Sequence, residues 1–298
     1  MMAYYKKIFW LIIILMILAI ILSYIKGIML YHPAPANAEK YEKFYQRLLQ
    51  LAESRSYLLN FIVPTSDGIF LDAVYIKNPE TNKCIIFFHG NAGNISMRYD
   101  MIKFLYNYAS IIVFDYRSFG KSTGTNALLS ATDLEKDAKA IWDYAVTNLK
   151  IKPNNISFFG ESLGCAVAIS LAAALSKNME SYYYPHSIIC NAPFNSLGTM
   201  IEATFNKINL DLVGKVLGFF LGSEYKSDEL IKYINHQTKI LLAHSPRDEI
   251  IPYSEGRRLF TTISQLHPHV KFINITGTHN NLGLTDQYIY ALADLFND

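Results

Sequence analysis

Three side chains far apart in the chain, Ser162, Asp248 and His279, have the types that nucleophilic catalysis requires. Ser162 is the centre of Gly160-Glu161-Ser162-Leu163-Gly164, and paired glycines around a serine suit a turn too tight for side chains. A serine hydroxyl is a weak nucleophile at neutral pH, so it needs an imidazole to take its proton and a carboxylate to orient that imidazole. Of eight histidines, His279 follows an apolar, strand-like run in Gly277-Thr278-His279-Asn280-Asn281. Asp248 follows the run before it, in Ser245-Pro246-Arg247-Asp248-Glu249. His32, His186, His236, His267 and His269 read as linker or loop residues, and His244 as a packed, hydrogen-bonded one. A fourth segment, His89-Gly90-Asn91-Ala92-Gly93-Asn94, ends another apolar run, and its glycines let backbone N–H groups turn toward a cleft. We assign oxyanion donors to the N–H of Asn91 and of Leu163, the residue after the nucleophile. No Gly-Lys-Ser/Thr follows His89-Gly90, which argues against a phosphate loop.

Such a set must be presented by strand ends on one side of a sheet. Short, continuous apolar runs at Cys84–Phe88, 111–114, 156–159, 187–190, 240–243 and 270–273 alternate with helical stretches such as 130–149 and 163–176. Runs of this kind predict an α/β fold with a mostly parallel central sheet flanked by helices. In such sheets ligands bind beyond the carboxyl ends of the strands, where Ser162, Asp248 and His279 all fall. Residues 61–75 read as two strands joined at Asp67-Gly68. The insertion near 195–237 suits a short helical lid. Within it, Leu212, Val213, Val216, Leu217 and Phe220 either pack the lid onto the core, line an apolar acyl channel or rest near a bilayer.

The N-terminus has a different character. Residues 8–25 carry no charge, and a helix over 8–30 would extend roughly 34 Å, enough for a hydrocarbon core of about 30 Å. Lys6 and Lys7 precede the run, and Trp10 and Tyr31 lie near its ends. We read residues 1–31 as an uncleaved signal anchor and transmembrane helix, preferred over cleavage at Ala34-Pro35-Ala36. Residues 32–60 then form a linker with a leading helix, and 61–298 the catalytic domain, on the outer side of the membrane. With 27 basic and 25 acidic side chains the chain has no electrostatic footprint for nucleic acid, and 51% hydrophobic residues exclude a disordered protein. Cys84, Cys165 and Cys190 lie in apolar runs as small buried hydrophobes, without spacing for a metal.

The chain resembles the α/β-hydrolase superfamily, and within it a small membrane-anchored branch related to fungal bud-emergence proteins and animal depalmitoylating serine hydrolases. The resemblance rests on the apolar N-terminus, His89-Gly-Asn-Ala-Gly-Asn, Asp115-Tyr-Arg-Ser-Phe-Gly-Lys-Ser, Gly160-Glu-Ser-Leu-Gly, Asn191-Ala-Pro-Phe, Asp248-Glu-Ile-Ile-Pro and His279-Asn. It implies a membrane-tethered serine hydrolase that cleaves small or lipid-like acyl esters or thioesters through an acyl-enzyme, with no metal or organic cofactor, and a domain of this size is expected to be a monomeric catalytic unit. Three positions depart from the family pattern: Ser118 and Thr278 stand where glycine is frequent, and Ser245-Pro246 replaces a more usual Gly-x. A serine peptidase of the same fold, or a non-catalytic membrane-tethered interaction protein, are the other functions that the pattern admits.

Overall fold

The computed structural model describes residues 2–52, 57–125, 129–177 and 183–297, although some side chains within the first helix, including those of 18–23, lie outside the described residues. The chain opens with α1 (Met2–Leu30), β1 (His32–Pro33), α2 (Ala38–Ala52), β2 (Leu58–Pro64), β3 (Phe70–Ile76), β4 (Cys84–Phe88) and β5 (Ala92–Gly93). It continues through α3 (Tyr99–Tyr106), β6 (Ser110–Phe114), α4 (Ala131–Thr147), β7 (Ile156–Glu161), α5 (Leu163–Lys177) and β8 (Ser187–Asn191). The remainder comprises α6 (Leu197–Asn206), α7 (Asp211–Leu221), α8 (Ser227–Leu230), β9 (Lys239–His244), α9 (Tyr253–Ser264), β10 (Val270–Asn274), β11 (Thr276–Thr278), β12 (Asn281–Gly283) and α10 (Asp286–Asn297).

Eight strands form one sheet in the order β10-β9-β8-β7-β4-β6-β3-β2. From β10 to β6 every pairing is parallel, while β6–β3 and β3–β2 are antiparallel, so the sheet is mixed at one edge. Parallel strands are usually covered on both faces, and β4 is buried at every residue. The pleat splits its side chains between two cores: Cys84, Ile86 and Phe88 pack with Trp142, Ala166 and Ile169 of α4 and α5, and Ile85 and Phe87 with Phe44, Ile102 and Leu292 of α2, α3 and α10. Ser130 caps α4 reciprocally with Asp133, which fixes where that helix begins.

The N-terminal segment corrects the sequence reading. Among the described residues no helix is long and apolar enough to cross a membrane. The transmembrane signal anchor over 1–31 is therefore overturned, and with it the membrane-anchored branch, the membrane as a partner and the placement of the domain on its outer side. The central part of the apolar run that carried the expectation lies outside the described side chains. The end of α1 is instead built into the domain. Leu30 and Tyr31 belong to the core, Lys26 pairs with Glu224, and the Tyr31 and Tyr225 hydroxyls share a buried hydrogen bond of 2.7 Å.

The following residues, expected as linker, pair with the domain as well. His32 and Pro33 lie in parallel register with Ala92 and Gly93, and the Ala34 N–H donates to the Gly93 carbonyl at 3.1 Å. Gly120 closes the strap, donating to the Ala34 carbonyl and accepting from the Ala36 N–H. Gly120 has φ +51°, and a Cβ there would fall 2.0 Å from both Asp115 Oδ2 and the Tyr41 hydroxyl. Ser118, at one of the positions that depart from the family pattern, accepts a φ of +68° nearby. We expect Gly120→Ala to lower stability by more than about 2 kcal/mol, through backbone strain and overpacking together, read as a fall in the urea midpoint. An unchanged midpoint would show that the Tyr41–Asp115 pair moves aside freely.

Candidate active site

Ser162 follows β7 and begins the turn into α5 with φ +54°, a left-handed conformation that is strained for a residue with a side chain. Its N–H donates to the Asn191 carbonyl at 2.9 Å, and its carbonyl accepts from the Cys165 N–H at 3.0 Å. The flanking glycines are required by close approach. A Cβ at Gly160 would lie 2.6 Å from Cys165 Cα, and one at Gly164 would lie 2.0 Å from the Phe88 carbonyl oxygen. The Gly-x-Ser-x-Gly spacing thus lets α5 pass against β7 and β4 while the serine is pushed outward.

Asp248 lies in the loop after β9, and His279 in the turn of the β11–β12 hairpin that follows β10. The structure brings them together: His279 Nδ1 lies 2.7 Å from Asp248 Oδ2. Because a carboxylate accepts, Nδ1 carries the proton and Nε2 is left with its lone pair. Asp248 Oδ1 accepts from the N–H groups of Ile250 at 2.9 Å and Ile251 at 2.7 Å. Burial alone would raise the Asp248 carboxyl, but hydrogen bonds from His244, His279 and the Ile251 N–H hold it well below the usual carboxylate range.

Several positioning groups escaped the sequence reading. His244 is buried, with Nε2 3.3 Å from Asp248 Oδ2 and 3.2 Å from the Ile251 carbonyl. Both neighbours are acceptors, so this nitrogen carries the proton and Asp248 is held between two imidazoles. The four-residue spacing of His244 and Asp248 was the available signal. Glu249 Oε2 accepts the His279 N–H at 3.0 Å. Ser245, where the family pattern has glycine, donates to the Gly277 carbonyl at 2.6 Å and so ties the acid loop to the histidine hairpin.

Ser162 and His279 line one cavity of about 430 Å³ with Gly90, Asn91, Arg98, Glu161 and Leu282. Among the described residues the N–H groups of Asn91 and Leu163 have no hydrogen-bond partner, as vacant oxyanion donors would. The Asn91 carbonyl accepts from the His32 N–H at 2.8 Å and its side chain donates to the Leu30 carbonyl at 2.9 Å, so the strap orients this peptide. His89 is fully buried, and burial pushes its imidazole down to about 3, which keeps it neutral and structural. Among the described residues, a larger cavity of about 630 Å³ between β2 and α4 is lined by no histidine.

The lid segment departs from expectation. Leu212, Val213, Val216 and Phe220 are exposed, and Gly214, Gly218 and Leu221 are the buried residues of α7. Gly214 and Gly218 admit α6 so closely that a Cβ would fall 2.7 Å from Phe205 Cβ and 2.8 Å from the Gly198 carbonyl, respectively. None of the expected apolar lid residues lines the cavity with Ser162.

Comparison with known proteins agrees with this architecture. The family described as alpha/beta hydrolase fold matches residues 83–183. The chain is 54% identical over 277 residues to the uncharacterized protein R595 of Acanthamoeba polyphaga mimivirus, covering 93% of this chain and 94% of that one. It is 28% identical to protein bem46 of Schizosaccharomyces pombe, over 77% of this chain and 73% of the other. The solved esterase PF2001 of Pyrococcus furiosus superposes with a TM-score of 0.61 at 20% identity, covering 84% of this chain and 90% of that one.

The low Asp248 value has a testable sign. A carboxyl depressed in the folded state contributes stability above its unfolded value of about 3.9, and that contribution is lost as pH falls. We expect Asp248→Asn to show a smaller drop in urea midpoint between pH 5 and pH 2.5 than the unsubstituted protein. Equal drops would mean that the two imidazoles and the loop amides do not stabilise the carboxylate.

Proposed function

Since the chain belongs to one family with the mimivirus protein R595 and has the α/β-hydrolase fold, we propose that it is a serine hydrolase cleaving carboxylic esters or thioesters. The observation that carries the proposal is the 2.7 Å His279–Asp248 hydrogen bond at the wall of the cavity that exposes the strained Ser162. Ser162 Oγ attacks the acyl carbonyl carbon while His279 Nε2 takes its proton, and Asp248 stabilises the imidazolium that forms. The carbonyl oxygen, now an alkoxide, accepts from the N–H groups of Asn91 and Leu163. Collapse of the tetrahedral adduct breaks the bond to the alcohol or thiol, which leaves with the proton from His279. Water then attacks the acyl-serine, again through His279, and releases the carboxylic acid and free Ser162.

The cavity supports a short acyl group rather than a long chain. Its walls carry Arg98, Glu161, Asn191 and Asn281 beside Met97, Met101 and Leu282, and the exposed apolar face of α7 lies outside it. Labelling with a fluorophosphonate should give a covalent adduct on the protein and none on Ser162→Ala. Absence of a Ser162-dependent adduct on folded protein would overturn the enzymatic reading. We expect His279→Ala and Asp248→Asn to lower kcat by about 10³-fold or more with Ser162 still present. Across p-nitrophenyl esters, acetyl and butyryl substrates should exceed palmitoyl by at least about 10-fold in kcat/KM. A flat profile would show that the cavity does not limit acyl length.

A further inference from the structure

Arg98 stands just before α3, and its side chain enters the cavity between the loop that holds Asn91 and the turn that holds Ser162. Its Nη2 donates to the Ala92 carbonyl at 2.7 Å. Its Nε approaches Glu161 Oε2 at 3.5 Å, an ion-pair contact without a hydrogen bond. Both side chains are about one-fifth exposed, so the pair is partly screened from water. A point at the missing Cβ of Gly90 lies 3.7 Å from Ser162 Cβ and 3.9 Å from Arg98 Nη2, so the guanidinium and the serine both border Gly90.

The two carbonyl-side partners matter because of where they sit in the chain. Ala92 directly follows Asn91, and Glu161 is one residue before Ser162 and two before Leu163. One oxyanion donor is therefore on the loop that Arg98 grips by a carbonyl, and the other is on the turn that it grips by a carboxylate. No backbone hydrogen bond among the described residues joins Ala92 or Asn91 to residues 161–163. A planar guanidinium with five fixed donors can hold two acceptors at a set separation, whereas a lysine ammonium is a single point of charge. Glu161 also needs neutralising: a free carboxylate beside Ser162 would oppose the negative charge that forms on the substrate oxygen.

We infer that Arg98 is a positioning residue, tying the Asn91 loop to the Ser162 turn through the Ala92 carbonyl and Glu161 and so setting the spacing of the two oxyanion donors. The inference rests on the serine-hydrolase reading. It differs from a role in binding substrate, because a tie between donors acts on the transition state and leaves ground-state binding nearly unchanged.

The test uses the full chain and p-nitrophenyl acetate, a neutral ester, with mono-p-nitrophenyl succinate as its carboxylate-bearing counterpart. Arg98→Gln should lower kcat by about 10- to 100-fold on both esters, with KM within about 2-fold, at an unchanged melting temperature. Arg98→Lys, which keeps the charge and is the variant of choice if glutamine unfolds the protein, should recover part of the loss. The double variant Arg98→Gln/Glu161→Gln should be no slower than Arg98→Gln alone, because its two members act as one unit. Losses that multiply would overturn the tie. So would an Arg98→Gln effect confined to KM for the succinate ester, which would make Arg98 an anion-binding residue, or an unchanged kcat. If the unsubstituted protein forms no Ser162-dependent fluorophosphonate adduct, the hydrolase reading itself fails; if it does and kcat is insensitive to Arg98, the tie alone fails.

Discussion

The site depends on a steric constraint: α5 must begin almost in contact with the ends of β7 and β4. That contact exists only because Gly160 and Gly164 carry no Cβ, with 2.6 Å to Cys165 Cα and 2.0 Å to the Phe88 carbonyl oxygen available at those points. The chain has no room to turn gradually, and Ser162 takes up the bend in a left-handed conformation. Strain of this kind persists only where the surroundings over-determine it. Here they do so through the buried β7–β4 and β7–β8 pairings, the Ser162–Asn191 backbone bond and the Ala-rich, fully packed face of α5. The same tight start leaves the Leu163 N–H without a helical partner, and it is this donor that the proposed mechanism directs at the substrate oxygen.

The opposite wall of the site is held from beneath, by hydrogen bonds and by α2. Asp115, at the end of β6, accepts from the Ile95 N–H at 2.9 Å and from the Tyr41 hydroxyl, and burial pushes its carboxyl up to about 7. Tyr41 belongs to α2, and the strap of residues 32–36 passes over the same loop. The segment that precedes the sheet in sequence thus completes the wall that carries Asn91. Over residues 32–36 the expected linker thus gives way to a strap paired with the domain ahead of the entry helix α2. A flexible connection would leave the Asn91 and Gly93 carbonyls to water, whereas here His32 and Ala34 donate to them.

What the sequence made legible follows from the range of the interactions. Strand runs such as Cys84–Phe88 were readable because burial on both faces writes an unbroken apolar stretch into consecutive residues. The order of Ser162, Asp248 and His279 was readable because each follows its own strand. Arg98, Glu249 and the Ser245–Gly277 tie were not, since each acts on a residue brought near only by the sheet order. His244 was read as a packed residue, and it is one, but its packing places it against Asp248. The N-terminal anchor was inferred from the length of the apolar run, its flanking lysines and its terminal aromatics, local signals that do not register Lys26, Leu30 and Tyr31 docking onto Glu224 and the core.

The lid shows the same limit in another form. Helical periodicity identifies which residues of α7 share a face, but not which face the protein turns inward. Besides Leu221, the residues turned inward are Gly214 and Gly218, because α6 and α7 meet closely enough there that side chains would collide. Leucine, valine and phenylalanine are left on the outer side, with Leu212 at 76% and Phe219 at 80% exposure. Apolar side chains that do not line the cavity cannot select an acyl chain inside it. In the proposed reaction selectivity would fall to groups that do line it, among them the Arg98–Glu161 pair, Asp100, several asparagines and apolar side chains such as Met97, Met101 and Leu282. A cavity so composed discriminates by the position of its polar groups as much as by length of the acyl chain, because a buried polar atom left unpaired costs more than a missing methylene.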